Sequence, residues 1–158
     1  MVSRRNWRAR SDIDTNFTIA PANWLHDPEA LQHIRRAVFI VEQQVPESEE
    51  WDEADLTCVH ALVLKGKRDA VGTGRLEPTG KIGRLAVLNE YRGLGLGGEI
   101  LEWLVGQARR QGLESVYLHA QVHALPFYLH HSFVAQGPVF DEAGIAHQRM
   151  SRKLTTQG

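Results

Sequence analysis

The sequence predicts an α/β fold in which a mixed β-sheet is flanked by helices. In the first half of the chain, three strand-like segments are joined by short turns, which favours antiparallel pairing. In the second half, strand-like and helix-period segments alternate, which is typical of βαβ-like units. A glycine-rich loop separates the two halves.

Length and composition fit one globular domain. The chain has 158 residues, of which 42% are hydrophobic and 23% charged, and it has a single cysteine, which excludes an internal disulfide. We expect a flexible extension over residues 1–15 and one domain over residues 16–158. The net charge of -1 argues against a general nucleic-acid binder. No apolar stretch approaches the about 20 residues that cross a bilayer, and the basic start lacks the apolar core of a signal peptide. We therefore expect a cytoplasmic protein that does not use a membrane.

The elements of the first half follow from periodicity and turn residues. Phe17 and Ile19 alternate with polar residues and predict a first strand. Asp27 and Pro28 predict the start of a helix whose apolar residues share one face. Pro46 and an acidic run over residues 47–55 predict a loop. Three further strands are predicted over residues 60–65, 71–77 and 81–88.

The second half contains two predicted helices and three predicted strands. An apolar stripe predicts a helix over residues 99–111, and Gly112 ends it. A strand over 115–120 and a short helix over 126–131 follow. Two closing strands are predicted over 133–137 and 145–154.

The glycine-rich loop between strand and helix predicts an anion-binding site. It reads Arg92-Gly-Leu-Gly-Leu-Gly-Gly98. Glycines let a ligand approach the backbone closely, and the free N–H groups at a helix N-terminus point at that ligand. A phosphate-bearing cofactor is the expected occupant.

Two other phosphate-binding motifs share this layout but fit poorly. A dinucleotide fingerprint needs an acidic residue at the end of the next strand, where this chain has His119-Ala120-Gln121. A P-loop requires a lysine after its last glycine, where this chain has Glu99.

The remaining pattern, Arg92-x-x-Gly95-x-Gly97 preceded by Leu85-x-Val87, resembles the acetyl-CoA pyrophosphate loop of the GNAT superfamily of N-acetyltransferases. The segment QVHALPFYLHHSF, residues 121–133, is similar to a later motif of that family. Gln121 stands there where the family has asparagine, and Ser132 where it has glycine.

The N-terminal half resembles the ElaA-like branch of the superfamily. The similarity lies in RRAVFIVEQQVP at residues 35–46, in the acidic residues through Asp52 and Asp55, and in His60. Near the C-terminus, DEAGIAHQRM at residues 141–150 looks like the same branch. The resemblance implies a mixed, mostly antiparallel sheet of six to seven strands with about four helices.

The resemblance also implies an activity. It implies transfer of an acetyl group from acetyl-CoA to a primary amine of a small molecule or peptide, by direct attack through a tetrahedral intermediate. A homodimer is a further implication. The alternative is a non-catalytic acyl-CoA-binding or protein-interaction module that kept the glycine loop.

Residue roles follow from the same resemblance. Tyr128 matches the general acid, although it could instead be a packed aromatic. Glu42 and His60 are candidates for the proton acceptor, but either could be structural, and a water chain is a third option. The cofactor-binding residues implied are Leu85, Ala86, Val87, Arg92, Gly93, Leu94, Gly95, Leu96, Gly97, Gly98, Gln121 and Tyr128.

Two further patterns concern metals and the acceptor. His119 and His123 have a ligand-like spacing, but that spacing suits a helix, whereas here it spans a strand end and a loop, so we expect no metal. The acidic run has six carboxylates within residues 47–55 and no basic residue. Such runs usually form a solvated surface. Near a substrate site, however, the run would attract cationic amines, so we expect a preference for positively charged acceptors.

Overall fold

The computed structural model describes residues 16–155, which form a seven-stranded sheet in the order β1-β2-β3-β4-β5-β7-β6. β4 and β5 pair in parallel, and every other neighbouring pair is antiparallel. The fold class inferred from the sequence is thereby confirmed. The extension expected over residues 1–15 lies outside the described residues. The strands are β1 (Phe17–Ala22), β2 (Val59–Lys65), β3 (Asp69–Leu76), β4 (Lys81–Val87), β5 (Ser115–Gln121), β6 (Val134–Glu142) and β7 (Ile145–Lys153).

Four α-helices accompany the sheet within residues 16–155. They are α1 (Pro28–Arg35), α2 (Glu47–Glu50), α3 (Leu96–Arg110) and α4 (Leu125–His130). α1 continues without a break as a π-helix, Arg36–Glu42. Short 3-10 turns lie at Glu53–Leu56, Asn89–Tyr91 and Val122–Ala124.

The helices cover opposite faces of the sheet, because strand side chains alternate between the faces. On β2, Ala61 and Val63 join the core beneath α3, whereas Leu62 joins a second core beneath α1. The aromatic residues of α4 pack against the α3 core. We call the α3 and α4 side the first face of the sheet and the α1 side the second face.

The acidic run is not the plain loop that the sequence predicted. It contains α2 and the 3-10 turn Glu53–Leu56, whose start is closed by a capping box between Asp52 and Asp55. The run is ordered because three of its carboxylates form ion pairs with arginines on α1 and β3. A local sequence pattern does not reveal these ion pairs.

Two other boundaries differ from the predicted ones by more than two residues. α3 begins at Leu96 rather than Glu99, so Gly97 and Gly98 lie in its first turn. A side chain on Gly98 would come within 3.0 Å of His131. β6 does not end at Gly137. The strand absorbs a bulge there and continues to Glu142, since pairing with β7 outweighs the local turn signal.

Ser132, which stands where the family has glycine, lies in the turn that ends α4. The Phe133 N–H donates to the Tyr128 carbonyl and the Ser132 N–H to the Leu129 carbonyl, which is a Schellman turn. Ser132 adopts a left-handed φ of 68°, the conformation that glycine accepts most easily. The departure from glycine therefore falls in a helix-end turn.

The parallel pair opens a gap in the sheet. β4 and β5 pair only at Lys81 with Tyr117 and at Ile82 with Leu118, and then separate. β4 also carries a bulge, because one residue lies between Thr73 and Arg75 on β3 where two lie between the facing Gly83 and Ala86. The separation of the two strands opens a cleft.

Candidate active site

The cleft between β4 and β5 has a volume of about 940 Å³. Its walls come from β4, β5, the glycine loop, α4, the π-helical segment, the acidic run and the β6–β7 hairpin. It is therefore lined from both faces of the sheet. A cleft of this size and composition can hold an elongated ligand on one side and a second, smaller one on the other.

The glycine loop forms one end of the cleft. Gly93 and Gly95 have left-handed φ values of 83° and 84°, and a side chain built on either would meet nothing within 4 Å. The loop thus leaves open space over the N-terminus of α3, a helix of 15 residues. The first N–H groups of a helix lack intrahelical partners, so Leu96, Gly97 and Gly98 offer donors to an anion. These residues fit a pyrophosphate.

The β5-facing edge of β4 forms a wall of the cleft. Beyond Ile82 this edge has no strand partner within residues 16–155, and the stretch predicted to bind cofactor, Leu85, Ala86 and Val87, lies in this unpaired part. An unpaired strand edge binds amide groups as an added strand does. The pantetheine arm of coenzyme A carries two such amides in line. The residues present therefore fit an acyl-CoA along β4.

Arg92 lies at the loop, but its guanidinium already has protein partners. Its Nη atoms donate to the Glu42 carboxylate at 2.6 and 3.0 Å, and its Nε donates to the Val87 carbonyl at 2.9 Å. Both side chains are exposed. The hydrogen bond from Arg92 lowers the pKa of Glu42, which makes this carboxylate a weaker base than an ordinary glutamate.

Tyr128 lines the cleft on the first face of the sheet. Its ring packs edge-on against Phe127 and Phe133, with centroids 5.0 and 6.0 Å away. Within residues 16–155, no hydrogen bond of the Tyr128 hydroxyl is found. Burial raises the pKa of Tyr128 to about 12, so the hydroxyl keeps its proton at neutral pH and can donate it.

Gln121 lies where β5 ends, on the cleft wall. Its side-chain amide donates to Gln43 at 2.9 Å, and a ring nitrogen of His123 lies 2.7 Å from its oxygen. Gln121 thereby links β5 to the residue that follows the π-helix. The side-chain amide of Gln121 therefore also fixes the position of the His123 ring.

His60 is separated from the other predicted residues. It is buried on β2, where its Nε2 lies 2.9 Å from the Asp55 carbonyl and its ring stacks on Trp24 at 5.6 Å. It does not line the cleft. Burial lowers the pKa of His60, which favours a neutral, structural imidazole. Glu42, by contrast, does line the cleft.

The structure adds a pair of site residues that the sequence did not single out as partners. His119 on β5 and Glu142 at the end of β6 both line the cleft, and His119 Nδ1 lies 2.9 Å from a Glu142 oxygen. They are 23 residues apart and meet only because β7 lies between β5 and β6. The one sequence signal was that Glu142 lies in the branch-like segment near the C-terminus.

The acidic run does not form the free negative rim that the sequence suggested. Four of its six carboxylates are ion-paired with arginines, so the argument for a cationic acceptor loses its main support. The pairs are Glu47 with Arg36, Glu50 with Arg35 and Arg84, Asp52 with Arg75 and Arg84, and Asp55 with Arg35 and Arg75.

Two features are absent from residues 16–155, the part of the chain that the structure describes. No group of three or more metal-binding side chains comes together there. No helix in that part has the length and apolar character needed to cross a bilayer.

The strand gap, the open β4 edge and the glycine loop together define a protein that binds an acyl-CoA thioester. Comparison with known proteins agrees. Residues 26–154 match the family model described as "Acetyltransferase (GNAT) domain". The chain belongs to the GNAT superfamily of acetyltransferases, in its ElaA-like branch, and is an acyl-CoA-dependent acyltransferase.

Three relatives document the similarity. The N-acetyltransferase YjcF of Bacillus subtilis, itself uncharacterised, is 37% identical over 76% of this chain and 88% of its own. Protein ElaA of Escherichia coli is 32% identical over 79% and 86%, and its crystal structure superposes with a TM-score of 0.77 over 86% of this chain and 99% of that one. An acyl-CoA N-acyltransferase from Pseudomonas aeruginosa is 30% identical, with a TM-score of 0.77 over 86% and 99%.

Proposed function

We propose that this protein transfers the acetyl group of acetyl-CoA to a primary amine of a small molecule or peptide. The amine attacks the thioester carbonyl directly, through a tetrahedral intermediate and without a covalent acyl-enzyme. The observation that carries this proposal is the Tyr128 hydroxyl, which has no hydrogen-bond partner within residues 16–155 and lines the same cleft as the glycine loop.

Binding of the cosubstrate is assigned to two groups of residues. The backbone of Leu85, Ala86 and Val87 pairs with the pantetheine arm, and a donor there polarises the acetyl carbonyl. The backbone N–H groups from Gly93 to Gly98 hold the pyrophosphate, helped by Arg92. Gln121 contributes a polar side chain at the end of β5.

Tyr128 serves as the general acid. When the carbon–sulfur bond breaks, the departing thiolate needs a proton, and a phenol that stays protonated at neutral pH supplies it. Burial raises the pKa of Tyr128 to about 12, so the hydroxyl carries the proton that this role requires over the whole physiological range.

The proposal extends to the domain, the compartment and the oligomeric state of the protein. Residues 16–158 form one acetyltransferase domain that acts in the cytoplasm as a homodimer, without a metal, nucleic acid or membrane. The net charge of -1 supports the absence of nucleic acid. Light scattering on the purified protein measures the oligomeric state directly.

Tyr128→Phe tests the assignment, because it deletes the hydroxyl and keeps the ring. We expect turnover with an amine library to fall by about 10²-fold, while the affinity for acetyl-CoA stays nearly unchanged. Release of the CoA thiol measures turnover, and calorimetry measures affinity. Equal turnover in the variant would return Tyr128 to a packing role.

A second variant separates binding from catalysis. Acetyl-CoA should raise the melting temperature, because it binds only the folded state, and Gly95→Val should abolish that rise by filling the open space over α3. NAD and ATP should produce little rise. Binding of acetyl-CoA without thiol release for any amine would instead support the non-catalytic acyl-CoA-binding module.

A further inference from the structure

The second face of the sheet carries a polar group that the mechanism above does not use. On β5, Leu118 and Ala120 point into the core beneath α3 on the first face. His119 and Gln121 alternate with them and therefore lie on the second face, where both line the cleft. The glycine loop and Tyr128 belong to the α3 and α4 side. An acceptor amine that approaches from the second face would meet His119.

Glu142 fixes the orientation of the His119 ring. Glu142 comes within reach because β6 and β7 form a hairpin around Ala143 and Gly144, both in left-handed conformations. One Glu142 oxygen lies 2.9 Å from His119 Nδ1, and the Phe140 ring meets the imidazole edge-on at 5.1 Å. Burial works to raise the pKa of Glu142, but the hydrogen bond from His119 lowers it below the ordinary value, so the group is ionised at neutral pH.

The ionised carboxylate determines which ring nitrogen of His119 carries the proton. A carboxylate can only accept hydrogen bonds, so Nδ1 must be the donor. In the neutral ring, Nε2 then holds a lone pair. No hydrogen bond of His119 Nε2 is found within residues 16–155. The arrangement is that of a general base held by a carboxylate, in which the carboxylate also stabilises the imidazolium that forms.

We propose that His119 Nε2 is the proton acceptor for the attacking amine and that Glu142 is its positioning residue. This assignment rests on the proposed amine acetylation. The amine nitrogen forms a bond to the thioester carbon, and His119 takes the proton that this nitrogen loses. The carbon–sulfur bond then breaks, and the thiolate takes the Tyr128 proton. The His119 imidazolium returns its proton through water to Tyr128, so both side chains regain their starting states.

Four other candidate bases within residues 16–155 are less suited to the role. Glu42 is paired with Arg92, and His60 does not line the cleft. His123 uses its Nε2 on Gln121. His147 lines the cleft but is buried, and its Nδ1 lies against the Ile145 carbonyl rather than a carboxylate, so its imidazolium would gain less stabilisation.

Several charged or titratable groups surround the His119–Glu142 pair. Glu142 supplies the charge in direct contact. The other titratable or charged groups around the pair are Tyr117 on β5, His147 and Arg149 on β7, and Lys81 on β4.

The central variant is His119→Gln, studied with the best amine from the library. We expect kcat to fall by about 10²-fold, with little change in the affinity for acetyl-CoA. The matched control is His33→Gln, which replaces an exposed histidine on α1 outside the cleft and should keep the activity of the parent protein. Melting temperatures establish that the variants are folded.

Glu142→Gln gives a readout that a purely structural role would not move. It removes the negative charge that stabilises the imidazolium, so the acidic limb of the kcat profile should shift to lower pH. Glu142→Asp keeps the negative charge, so its profile should be shifted less than that of Glu142→Gln. A profile unchanged by Glu142→Gln would overturn the positioning role.

A measurement on the resting protein does not depend on activity. Nitrogen-15 NMR, with His119→Gln for assignment, should show the proton of neutral His119 on Nδ1. A proton on Nε2 would overturn the proposal. An active His119→Gln with an unchanged pH profile would overturn it while leaving amine acetylation in place. A parent protein that binds acetyl-CoA but acetylates no amine would overturn both.

Discussion

At the scale of single residues, the contact between Glu42 and Arg92 changes how two predicted site residues are interpreted. The sequence offered Glu42 as a proton acceptor and Arg92 as a phosphate ligand. The two side chains bind each other at 2.6 Å, at the end of the cleft where the pyrophosphate is proposed to lie. Glu42 therefore competes with phosphate for the guanidinium, and its lowered pKa makes it a poor base.

Glu42→Gln distinguishes these roles. If Glu42 only occupies Arg92, the variant should keep its turnover and bind acetyl-CoA more tightly, by at most about fivefold, because exposed ion pairs contribute only about 0–1 kcal/mol. Calorimetry and thiol release measure the two quantities. Glu29→Gln, an exposed carboxylate on α1 outside the cleft, is the control. A large loss of kcat in Glu42→Gln would make Glu42 the base after all.

At the scale of elements, the acidic run, residues 47–55, is held in place by buried arginines. Arg35 ends α1 and Arg75 lies on β3, and Asp55 accepts a hydrogen bond of 2.7 Å from each. All three side chains are buried. Arg84, at the β4 bulge with a left-handed φ of 52°, donates to the Glu50 carbonyl at 3.0 Å. The segment thus ties α1, β3 and the cleft-forming part of β4 together.

Asp55→Asn should be strongly destabilising. The variant keeps the shape of the side chain but leaves two buried guanidinium groups with less compensating charge. Breaking a buried ion pair costs about 3–5 kcal/mol, so we expect the free energy of unfolding to fall by about 3 kcal/mol in urea titrations. Glu53→Gln, its exposed neighbour in the same turn, should stay within about 0.5 kcal/mol of the parent. Similar losses in both variants would contradict the network argument.

At the scale of the whole molecule, the same ion pairs link stability to pH. The hydrogen bond from Arg75 lowers the pKa of Asp52 to about 2, below the value of about 3.9 expected in the unfolded chain. A carboxylate whose pKa is lower in the folded state stabilises the protein above the unfolded value. That stabilisation is lost as pH falls from about 4 to about 2.

Unfolding in urea between pH 5 and pH 2 checks this linkage. The free energy of unfolding should decline across the interval, and the decline should be shallower in Asp52→Asn, which has no proton to gain at this position. Asp69→Asn, at the exposed start of β3, is the control and should follow the parent protein. An identical decline in Asp52→Asn and the parent would show that other groups control acid unfolding.

The sequence alone determined the class of fold, most of the strands and the position of the glycine-rich loop at the start of α3. These features depend on neighbours along the chain: alternation defines a strand, and glycines before a helix define an anion site. The bounds of β4 and β7 were therefore predicted to within one residue. The acidic run was missed as structure because its partners, Arg35 and Arg75, lie on other elements.

Only the tertiary structure decided which polar groups share the cleft. Strand order brings His119 and Glu142 together across β7, and it leaves His60 on the far side of β3 from β4. It also pairs Glu42 with Arg92, 50 residues later. No local pattern encodes these contacts, because they depend on which strands become neighbours, and that is determined by burial of the two cores over the whole chain.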